Sequence, residues 1–440
     1  RTGGERDISF DARVEDERTF RAIEIQSTGK SVVSIGAAVP MNGVTYEGLV
    51  RFNTDGSIDN TFASSVNYFP NQQQLWVLPD DKILVVDVGT QSYVRRLNAD
   101  GTLDNSFNAP GYYGSTIYAV AAQADGKVLV SVLDGSFVPS RQFIYRLDPD
   151  GSTDASFTPL PDFDARVIQP LSSGKILLAG VNGLMQLDAT GVPDPTFSAT
   201  VTGTINDLVV QSDGKIIVIG RINQVNAVSV AGIARLNPNG TLDATFASGN
   251  GIPPTPGNEA YTIEPLPAGG WVLAGRFNTY NDVARNRVIV INDDGSLRCS
   301  FDPLAGPDAA VRDVAVQSDG KILAAGAFVD YNGEPAVALV RINTSSPIPP
   351  AITGFVPGSG PIGTSVTLSG LNFDPVAANN TVFFGATRGQ VTAASATQLV
   401  VTVPPGATDH PITVTVAGLT AHAAAPFRVT FCSVPGITTG

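Results

Sequence analysis

The residues of this sequence that could do chemistry are mainly aspartates, and they recur at one fixed position. An Asp stands three residues before a Phe at Asp7, Asp59, Asp104, Asp154, Asp194 and Asp243. Two carboxylates that face each other across a pocket would suit glycoside hydrolysis. Most of these aspartates belong to repeated turns, however, and Glu is scarce. We therefore expect a non-catalytic protein with no catalytic residue.

Calcium is the one cofactor that the acidic turns favour. Its oxygen ligands would be supplied by Asp55, Asp59, Asp100 and Asp104. Their spacing departs from the Asp-x-Asp-x-Asp-Gly pattern of calcium loops, and a hairpin whose Asp pairs with an Arg explains it instead. We expect no cofactor, and calcium stays open as the alternative.

Histidine and cysteine offer little further chemistry. His410 and His422 are the only histidines, so the first 343 residues contain none for general-base or zinc chemistry. The only cysteines are Cys299 and Cys432, too few for a disulfide framework or a metal cluster. They could bridge two domains, or Cys432 could pair with something beyond the end of this chain.

The aspartates are positioned by a repeated unit, seen most clearly from Leu208 to Phe246. An alternating apolar run ends at an Asp-Gly-Lys turn and a second apolar run follows at once, which is a strong signal of a β-hairpin. After a variable loop come a third run, Ile233 to Asn237, an Asn-Gly turn and a short segment that ends in Phe246. Each unit is therefore predicted to form four antiparallel strands.

Seven such units fill residues 1–343. Their closing Phe residues are Phe10, Phe62, Phe107, Phe157, Phe197, Phe246 and Phe301. Units of this length with no room for a helix indicate an all-β, seven-bladed β-propeller with four-stranded antiparallel blades. The segment Asp7 to Phe10 is predicted to complete the last blade, because that pairing closes the ring and removes two exposed sheet edges.

Two basic positions accompany the aspartates. All six Lys residues occupy the first turn of a unit, and we interpret them as solvated charges beside the Asp of that turn. The third strand carries an Arg at Arg51, Arg96, Arg146, Arg235 and Arg341, replaced elsewhere by Gln186 and Val290. Each Arg is predicted to lie on a blade face and pair with a carboxylate such as Asp59 or Asp104.

The recurring pattern resembles a known family. Asp-Gly-Lys before an apolar run, Arg-Leu-Asn, a second Asp-Gly turn and Asp-x-(Ser/Thr)-Phe together resemble the delta-60 repeat of large secreted and surface proteins of bacteria, over about residues 5–343. The resemblance implies a propeller and a location outside the bacterial cell, extracellular or on the cell surface. It implies no reaction.

The rest of the chain has a different pattern. Residues 344–350 are predicted to form a Pro-rich linker. Residues 351–431 look like an IPT/TIG domain, an immunoglobulin-like β-sandwich, on the residues Ile352, Pro357, Gly360, Gly363, Val366, Gly370, Phe373, Val382, Phe384, Gly385, Val403, Pro404, Gly406, Val414 and Val416. Residues 432–440 would be a tail or the start of a further module.

The net charge and the hydropathy of the sequence limit the classes of molecule that the protein is expected to bind. The net charge of −13 argues against nucleic acid and against an anionic membrane surface. The sequence shows no apolar run long enough to insert into a membrane and no visible signal peptide, and it does not begin with Met. We expect a mature or excised fragment.

The unit predicts where a ligand would bind. The first and third turns are short and uniform and lie on one side of the disc, whereas the variable loops lie on the other, where binding diversity is expected. That side would carry the candidate ligand-binding residues Tyr68, Phe69, Tyr112, Tyr113, Tyr280, Arg285 and Tyr331. Aromatic and Arg side chains suit glycan or protein contact, although such residues could instead only pack the loops.

The leading hypothesis is therefore a non-catalytic extracellular adhesion or recognition protein of a bacterial surface. It would bind a glycan or protein on a cell surface through the variable loops. A first alternative is a self-assembling subunit of an extracellular filament or surface layer, whose partners are copies of itself. A second is an enzyme that acts on polysaccharide.

Overall fold

The structure is a computed structural model that describes residues 3–15, 19–64, 75–88, 91–113, 115–135, 137, 141–181, 183–344, 350–416 and 419–430. The chain divides into two units, Arg1–Ser345 and Ser346–Gly440. Most of the predicted linker, Cys432 and the tail 432–440 lie outside the described residues. In the described part, no helix is long and apolar enough to span a membrane.

In the described part of the first unit there are seven antiparallel sheets of three or four strands, numbered 1 to 7 along the chain, and two separate two-stranded sheets, Thr279–Tyr280 with Val283–Ala284 and Asp330–Tyr331 with Glu334–Pro335. Their first strands are Phe20–Ile25, Leu75–Val77, Thr116–Ala122, Ala165–Pro170, Val201–Val210, Ala260–Pro265 and Val311–Val316. Their second strands are Ser31–Met41, Ile83–Val88, Val128–Asp134, Ile176–Gly180, Ile216–Val225, Trp271–Gly275 and Ile322–Gly326. Their third strands are Val44–Phe52, Gln91–Leu97, Arg141–Leu147, Gly183–Leu187, Ile233–Leu236, Val288–Ile291 and Leu339–Ile342.

Shorter strands extend the sheets at the ends that carry the variable loops. They are Tyr112–Tyr113, Leu160–Pro161, Val228–Ser229, Thr279–Tyr280, Val283–Ala284, Asp330–Tyr331 and Glu334–Pro335. We call this end of the sheets the loop face, and the opposite end, with the Asp-Gly-Lys turns, the turn face.

The seven sheets surround a common axis. The first strand of each sheet contacts the first strand of the next, and Val311–Val316 of sheet 7 contacts Phe20–Ile25 of sheet 1. Apolar clusters fill the spaces between adjacent sheets; one of them joins Phe20 and Phe52 of sheet 1 to Leu323 of sheet 7. The all-β propeller fold predicted from the sequence is confirmed.

The fourth strand of each unit is shorter than predicted. In place of a full strand, sheet 3 has a bridge between Leu147 and Thr153, a turn in which the amide of Phe157 donates to the Asp154 carbonyl at 3.3 Å, and then the two-residue strand Leu160–Pro161. Pairing is interrupted after this bridge because the Asp154 side chain accepts hydrogen bonds from Ser156, which stabilise the turn. The hydrogen bonds of the turn compete with further backbone pairing along the third strand.

The N-terminal segment pairs with the last sheet. The amide of Asp7 donates to the Arg341 carbonyl at 2.8 Å, and the amide of Gly4 donates to the Asn343 carbonyl at 2.7 Å. Phe10 is buried among residues of sheets 7 and 1. Residues from the two ends of the first unit therefore share one sheet, so the ring closes through noncovalent contacts.

The second unit is a β-sandwich. Its strands are Ala351–Val356, Ser359–Gly360, Ser365–Leu371, Asn380–Phe384, Thr387–Ala394, Gln398–Thr402, Pro411–Val416, Leu419–Pro426 and Arg428–Val429, with a short 3-10 helix at Ala377–Asn379. The first strand and Leu419–Pro426 lie at opposite ends of the hydrogen-bonded order yet contact each other, because the sheet folds back on itself. Val366, Phe384 and Val414 lie in its core, as expected of the immunoglobulin-like domain.

Candidate functional site

The repeated aspartates lie on the turn face, and their hydrogen-bonding capacity is used within the fold. In sheet 3, Oδ2 of Asp154 binds Nε of Arg146 at 2.6 Å and Nζ of Lys127 at 2.7 Å. Oδ1 accepts the amide and the hydroxyl of Ser156. Burial alone would raise the pKa of Asp154, but the bonds from Lys127, Ser156 and Arg146 hold it well below its usual value.

The same cluster of Lys, Asp and Arg recurs around the ring. We call it the Lys–Asp–Arg cluster; it consists of Lys30, Asp59 and Arg51; Lys82, Asp104 and Arg96; Lys127, Asp154 and Arg146; Lys215, Asp243 and Arg235; and Lys321, Asp7 and Arg341. The predicted pairing of Arg with Asp59 and Asp104 is confirmed. The prediction for Lys was incomplete: Lys82 and Lys321 lie beside their turn residues Asp80 and Asp319, at 3.9 and 3.5 Å, but each Lys of a cluster also bonds to the buried Asp.

Each Arg also joins its sheet to the next. Arg146 donates from Nη1 to the carbonyl of Ala189 in sheet 4 at 2.6 Å, and its guanidinium lies 4.7 Å from the Phe157 ring centroid. The Asp, the Ser or Thr and the Phe of the Asp-x-(Ser/Thr)-Phe motif thus all contact the Arg that joins one blade to the next. Among the described residues, no group of three or more His, Cys, Asp and Glu is arranged to hold a metal ion.

Two sheets depart from this pattern in different ways. In sheet 4, Gln186 replaces the Arg, and Lys175, at 2.6 Å, is the only cation bonded to Asp194 among the described residues. In sheet 6 all three positions change, to Gly270, Val290 and Arg298. A Cβ on Gly270 would lie 2.4 Å from Nη2 of Arg298, so the glycine makes room for the guanidinium.

A second group of carboxylic acids lies near the axis, and the sequence analysis missed it. Glu24, Asp207, Glu264 and Asp313 belong to the first strands of sheets 1, 5, 6 and 7. We call these four residues the central carboxyl cluster. The signal was present, since each is an acidic residue within a mostly apolar inner strand, but nothing in one sequence shows that these strands converge.

The two aspartates of the central carboxyl cluster bridge neighbouring sheets. Asp313 accepts the amides of Val314 and, across the sheet boundary, Ile23 at 2.9 Å each. Asp207 accepts the amides of Leu208 at 2.8 Å and Ile263 at 2.9 Å. These bonds hold first strands together in the inner ring.

Burial controls the protonation of this cluster. Burial raises the pKa of Asp207 and of Asp313 to about 7, against the effect of their backbone hydrogen bonds. It raises the pKa of Glu24 to about 8, with a further contribution from Asp313. The pKa of Glu264 is raised well above its ordinary value by burial and then by Glu24, Asp207 and Asp313.

Two of the predicted ligand-binding residues are core residues. Tyr280 and Tyr331 are 0% and 1% exposed, and their hydroxyls donate to the carbonyls of Gly295 at 2.6 Å and Gly4 at 2.5 Å. The prediction that they contact a ligand was wrong, because each lies in a short hairpin that folds inward over its sheet.

The other predicted residues have different placements. Tyr68 and Phe69 lie outside the described residues. Arg285 is half-buried, and its Nη2 lies 3.3 Å from Oδ2 of Asp302. Tyr112 and Tyr113 form a short strand that pairs with the third strand of sheet 2. Cys299 is exposed, and Cys432, its possible disulfide partner, lies outside the described residues.

Tyr112 belongs to a row of aromatic rings between sheets 2 and 3. Its ring lies 6.0 Å from that of Tyr145, which lies 5.6 Å from Phe143, which lies 5.2 Å from Phe137. We call these four residues the aromatic ladder. Phe143 and Tyr145 lie two residues apart on one strand and so share a face. The ladder begins at the apolar core and ends at Phe137, which is 41% exposed.

A pair of charged residues lies beside the aromatic ladder. Arg141 shares the face of Phe143 and Tyr145; its guanidinium lies 5.6 Å from the Phe143 ring centroid, and its Nε donates to Oδ1 of Asp162 at 3.0 Å. Burial and then Asp134 raise the pKa of Tyr145, so its hydroxyl stays protonated at neutral pH. The ladder therefore combines apolar ring faces with hydrogen-bonding groups at one edge.

Comparison with known families gives a result for both units. The model described as "Domain of unknown function (DUF5122) beta-propeller" matches residues 26–62, 78–107, 123–157, 211–246 and 317–346. The IPT/TIG domain model matches residues 350–431. The chain carries DUF5122 β-propeller repeats followed by a C-terminal IPT/TIG domain.

The DUF5122 matches agree with the Lys–Asp–Arg clusters. The five matched segments cover the repeats that have a third-strand Arg, and the repeats of Gln186 and Val290 are unmatched. The segments that the family model matches are therefore those whose Arg joins one blade to the next.

Solved structures provide more distant similarities to this chain. A streptogramin B lyase is 15% identical over 76% of this chain and 96% of its own, with a TM-score of 0.48. The extracellular domain of a putative hybrid two component system from B. thetaiotaomicron is 12% identical over 93% of this chain and 56% of its own, with a TM-score of 0.48. A copper-bound fungal alcohol oxidase is 14% identical over 94% and 98%, with a TM-score of 0.45. Comparison with curated proteins finds no match.

Proposed function

We propose that this chain is a non-catalytic extracellular recognition protein that binds a glycan or a protein of a cell surface at the loop face of its propeller. The observation that carries the proposal is the aromatic ladder, whose rings run from the core between sheets 2 and 3 to the exposed Phe137. Aromatic rings that are fixed on one side and exposed on the other suit the apolar faces of sugars and the side chains of proteins.

The charged pair adds selectivity to this surface. Arg141 and Asp162 have side chains that are 42% and 61% exposed, so both can exchange part of their mutual bonding for contacts with hydroxyl or amide groups. A ligand with an apolar face and polar edges would use both features. The partner is then a glycan or protein surface; the net charge of −13 disfavours nucleic acid.

The test is a binding screen with a matched pair of variants. The wild-type protein is screened against insoluble β-glucan, chitin and mannan and against a panel of extracellular matrix proteins. We expect saturable binding to at least one, weakened about tenfold in Phe143→Ala through loss of one ring contact. Val228→Ala removes an exposed apolar side chain elsewhere on the loop face and serves as the control.

Thermal unfolding separates loss of binding from loss of structure. Phe143→Ala should bind more weakly at temperatures where it is fully folded. Equal binding by the two variants would exclude the aromatic ladder as the site, and no binding to any ligand of the screen would count against recognition itself. The filament subunit and the polysaccharide-active enzyme stay predictions; self-association or turnover in the same samples would support them.

A further inference from the structure

Sheet 4 lacks an Arg that five other sheets possess, and the structure shows what this Arg does elsewhere. In the Lys–Asp–Arg clusters the guanidinium bonds to three acceptors and covers a Phe ring. Its Nε donates to the cluster Asp, and its Nη2 donates to the Ser or Thr two residues later; in sheet 5 these distances are 2.8 Å to Asp243 and 3.2 Å to Thr245. Its Nη1 donates to a turn carbonyl of the next sheet, at 2.6 Å for Asp293.

The corresponding acceptors of sheet 4 have no such donor. They are Oδ2 of Asp194, the hydroxyl oxygen of Thr196 and the carbonyl of Pro238 in sheet 5. Among the described residues, Asp194 Oδ2 bonds only to Lys175, and neither the Thr196 hydroxyl nor the Pro238 carbonyl accepts a hydrogen bond. The ring of Phe197 has no cation over it in the same part of the structure, whereas five equivalent rings do.

A cleft lies beside Gln186, the residue that stands where five other sheets have Arg; Lys175 and Pro238 line it, whereas Asp194, Thr196 and Phe197 do not. It has a volume of about 510 Å³ and lies between sheets 4 and 5 on the turn face, lined by Lys175, Gln186, Gln211 and Pro238 among others. Oε1 of Gln211 is buried there and, within the described residues, has no hydrogen-bond partner; the same holds for the equivalent Gln123 and Gln317 of sheets that have the Arg, so this atom is not specific to the cleft. The Gln186 side chain is shorter than Arg and carries no charge, so it does not replace the guanidinium.

The nearby lysine does not prevent a second cation from binding. In sheets 1, 2, 3, 5 and 7 one carboxylate oxygen binds Lys and Arg together, for example Oδ2 of Asp154 with Lys127 and Arg146. Asp194 has the Lys without the Arg, and its pKa is held at about 2 by Lys175 and Thr196. It therefore stays ionised and retains a lone pair for one more N–H donor.

We propose that the cleft between sheets 4 and 5 binds a guanidinium group, of the kind that an arginine side chain of another polypeptide carries. The group would donate to Asp194, Thr196 and the Pro238 carbonyl and stack on Phe197, in the arrangement that Arg235 makes within sheet 5. A planar cation with several donors meets these acceptors; a spherical ammonium ion does not.

Ethylguanidinium chloride is the direct probe, because it reproduces the end of an arginine side chain. Titration of the ¹⁵N-labelled protein should give saturable amide shifts around Lys175 and Gly240, with a Kd on the order of millimolar for so small a ligand. Ethylammonium chloride at the same concentrations should give no saturable shift there. Absence of a saturable shift with ethylguanidinium would overturn the proposal.

Two substitutions of Gln to Arg locate the site. Gln186→Arg supplies the guanidinium in cis and should weaken ethylguanidinium binding by tenfold or more. Gln398→Arg adds the same charge at an exposed position of the second unit and should leave binding unchanged. Unchanged binding in Gln186→Arg would show that the ligand binds elsewhere and would also overturn the proposal.

The converse substitution checks the chemistry independently. Arg235→Gln should create a second cleft, lower the melting temperature and recover part of that loss in ethylguanidinium but not in ethylammonium. If the melting temperature of Arg235→Gln recovers in both salts, or in neither, these acceptors do not select a guanidinium group. Sedimentation at rising concentration identifies the source of the arginine, because only an arginine of a second copy gives self-association that ethylguanidinium reverses.

Discussion

Carboxylic acids occur in two regions of this propeller, and the same chemical group behaves in opposite ways there. At the turn face each Asp of a Lys–Asp–Arg cluster lies within hydrogen-bonding distance of two cations, and its pKa is lowered. In the central carboxyl cluster Asp313 accepts bonds from backbone amides and from the Thr262 side chain, which are neutral, and burial followed by the neighbouring Asp207 raises its pKa. Burial is common to both regions, so the charge of the partners decides the direction.

The two regions therefore oppose each other as the pH changes. Asp7 has its pKa lowered to about 2, so its contribution to stability is fully present above its unfolded value near 4 and is lost as the pH falls. Glu24 has its pKa raised to about 8, so its contribution is fully present below its unfolded value near 4.5 and is lost as the pH rises. Stability should be greatest between these limits.

The largest expected effect comes from removing one complete Lys–Asp–Arg cluster at the closure of the ring. Deletion of residues 1–10 removes Asp7 and leaves Arg341 and Lys321 without their carboxylate; Phe10 is also lost from the core. We expect the melting temperature to fall by roughly 10 °C or more, since an uncompensated buried charge alone costs about 3–5 kcal/mol. Differential scanning calorimetry measures the change.

The control for the deletion lies within the same segment. Ile8 is 89% exposed, so Ile8→Ser keeps the backbone pairing and should melt like the wild type. If the deletion melts at the wild-type temperature, the N-terminal segment does not hold the ring closed.

A smaller change in stability, with the opposite pH dependence, is expected from substitutions in the central carboxyl cluster. The double substitution Glu24→Gln, Glu264→Gln removes Glu24, which ionises as the pH rises through about 8, and Glu264, whose pKa burial raises well above its ordinary value. Urea unfolding should show the variant gaining about 2 kcal/mol or more over the wild type between pH 6 and pH 9. Equal pH dependence for the two proteins would mean that solvent reaches both carboxyl groups and that their pKa values are ordinary.

The smallest effects compare Lys residues on the turn face. Lys127→Ala leaves Asp154 bound to Arg146, whereas Lys175→Ala removes the cation that binds Asp194. We expect a small loss of stability for both variants, because both Lys side chains are partly exposed, and a larger one for Lys175→Ala. Chemical denaturation of the two variants in parallel gives the difference; a larger loss for Lys127→Ala would show that Lys and Arg act cooperatively on the Asp.

Part of the candidate site could be predicted from the sequence and part could not. The variable loops pointed to Tyr112, and the structure places it in the aromatic ladder. The same reasoning selected Tyr280 and Tyr331, which are buried, because a loop tyrosine looks the same in sequence whether its hairpin folds inward or outward. Phe143 and Tyr145 were missed, since an aromatic residue in a third strand is indistinguishable from a core residue without its neighbours.

The sequence by itself determined the repeat, the strand order within each sheet, the propeller and the second domain. These depend on local information: alternating apolar residues, turn residues at fixed spacing and a motif repeated many times. It also showed that Arg51 would pair with Asp59, because the two lie a few residues apart across one turn.

Only the tertiary structure decided what happens between sheets. The central carboxyl cluster brings together Glu24 and Asp313, which are far apart in the chain, and the cleft at Gln186 becomes visible only beside Pro238 of the next sheet. Burial, proximity of like charges and an acceptor without its donor are properties of neighbours in space. A single sequence specifies these relations through the fold, but its local patterns do not reveal them.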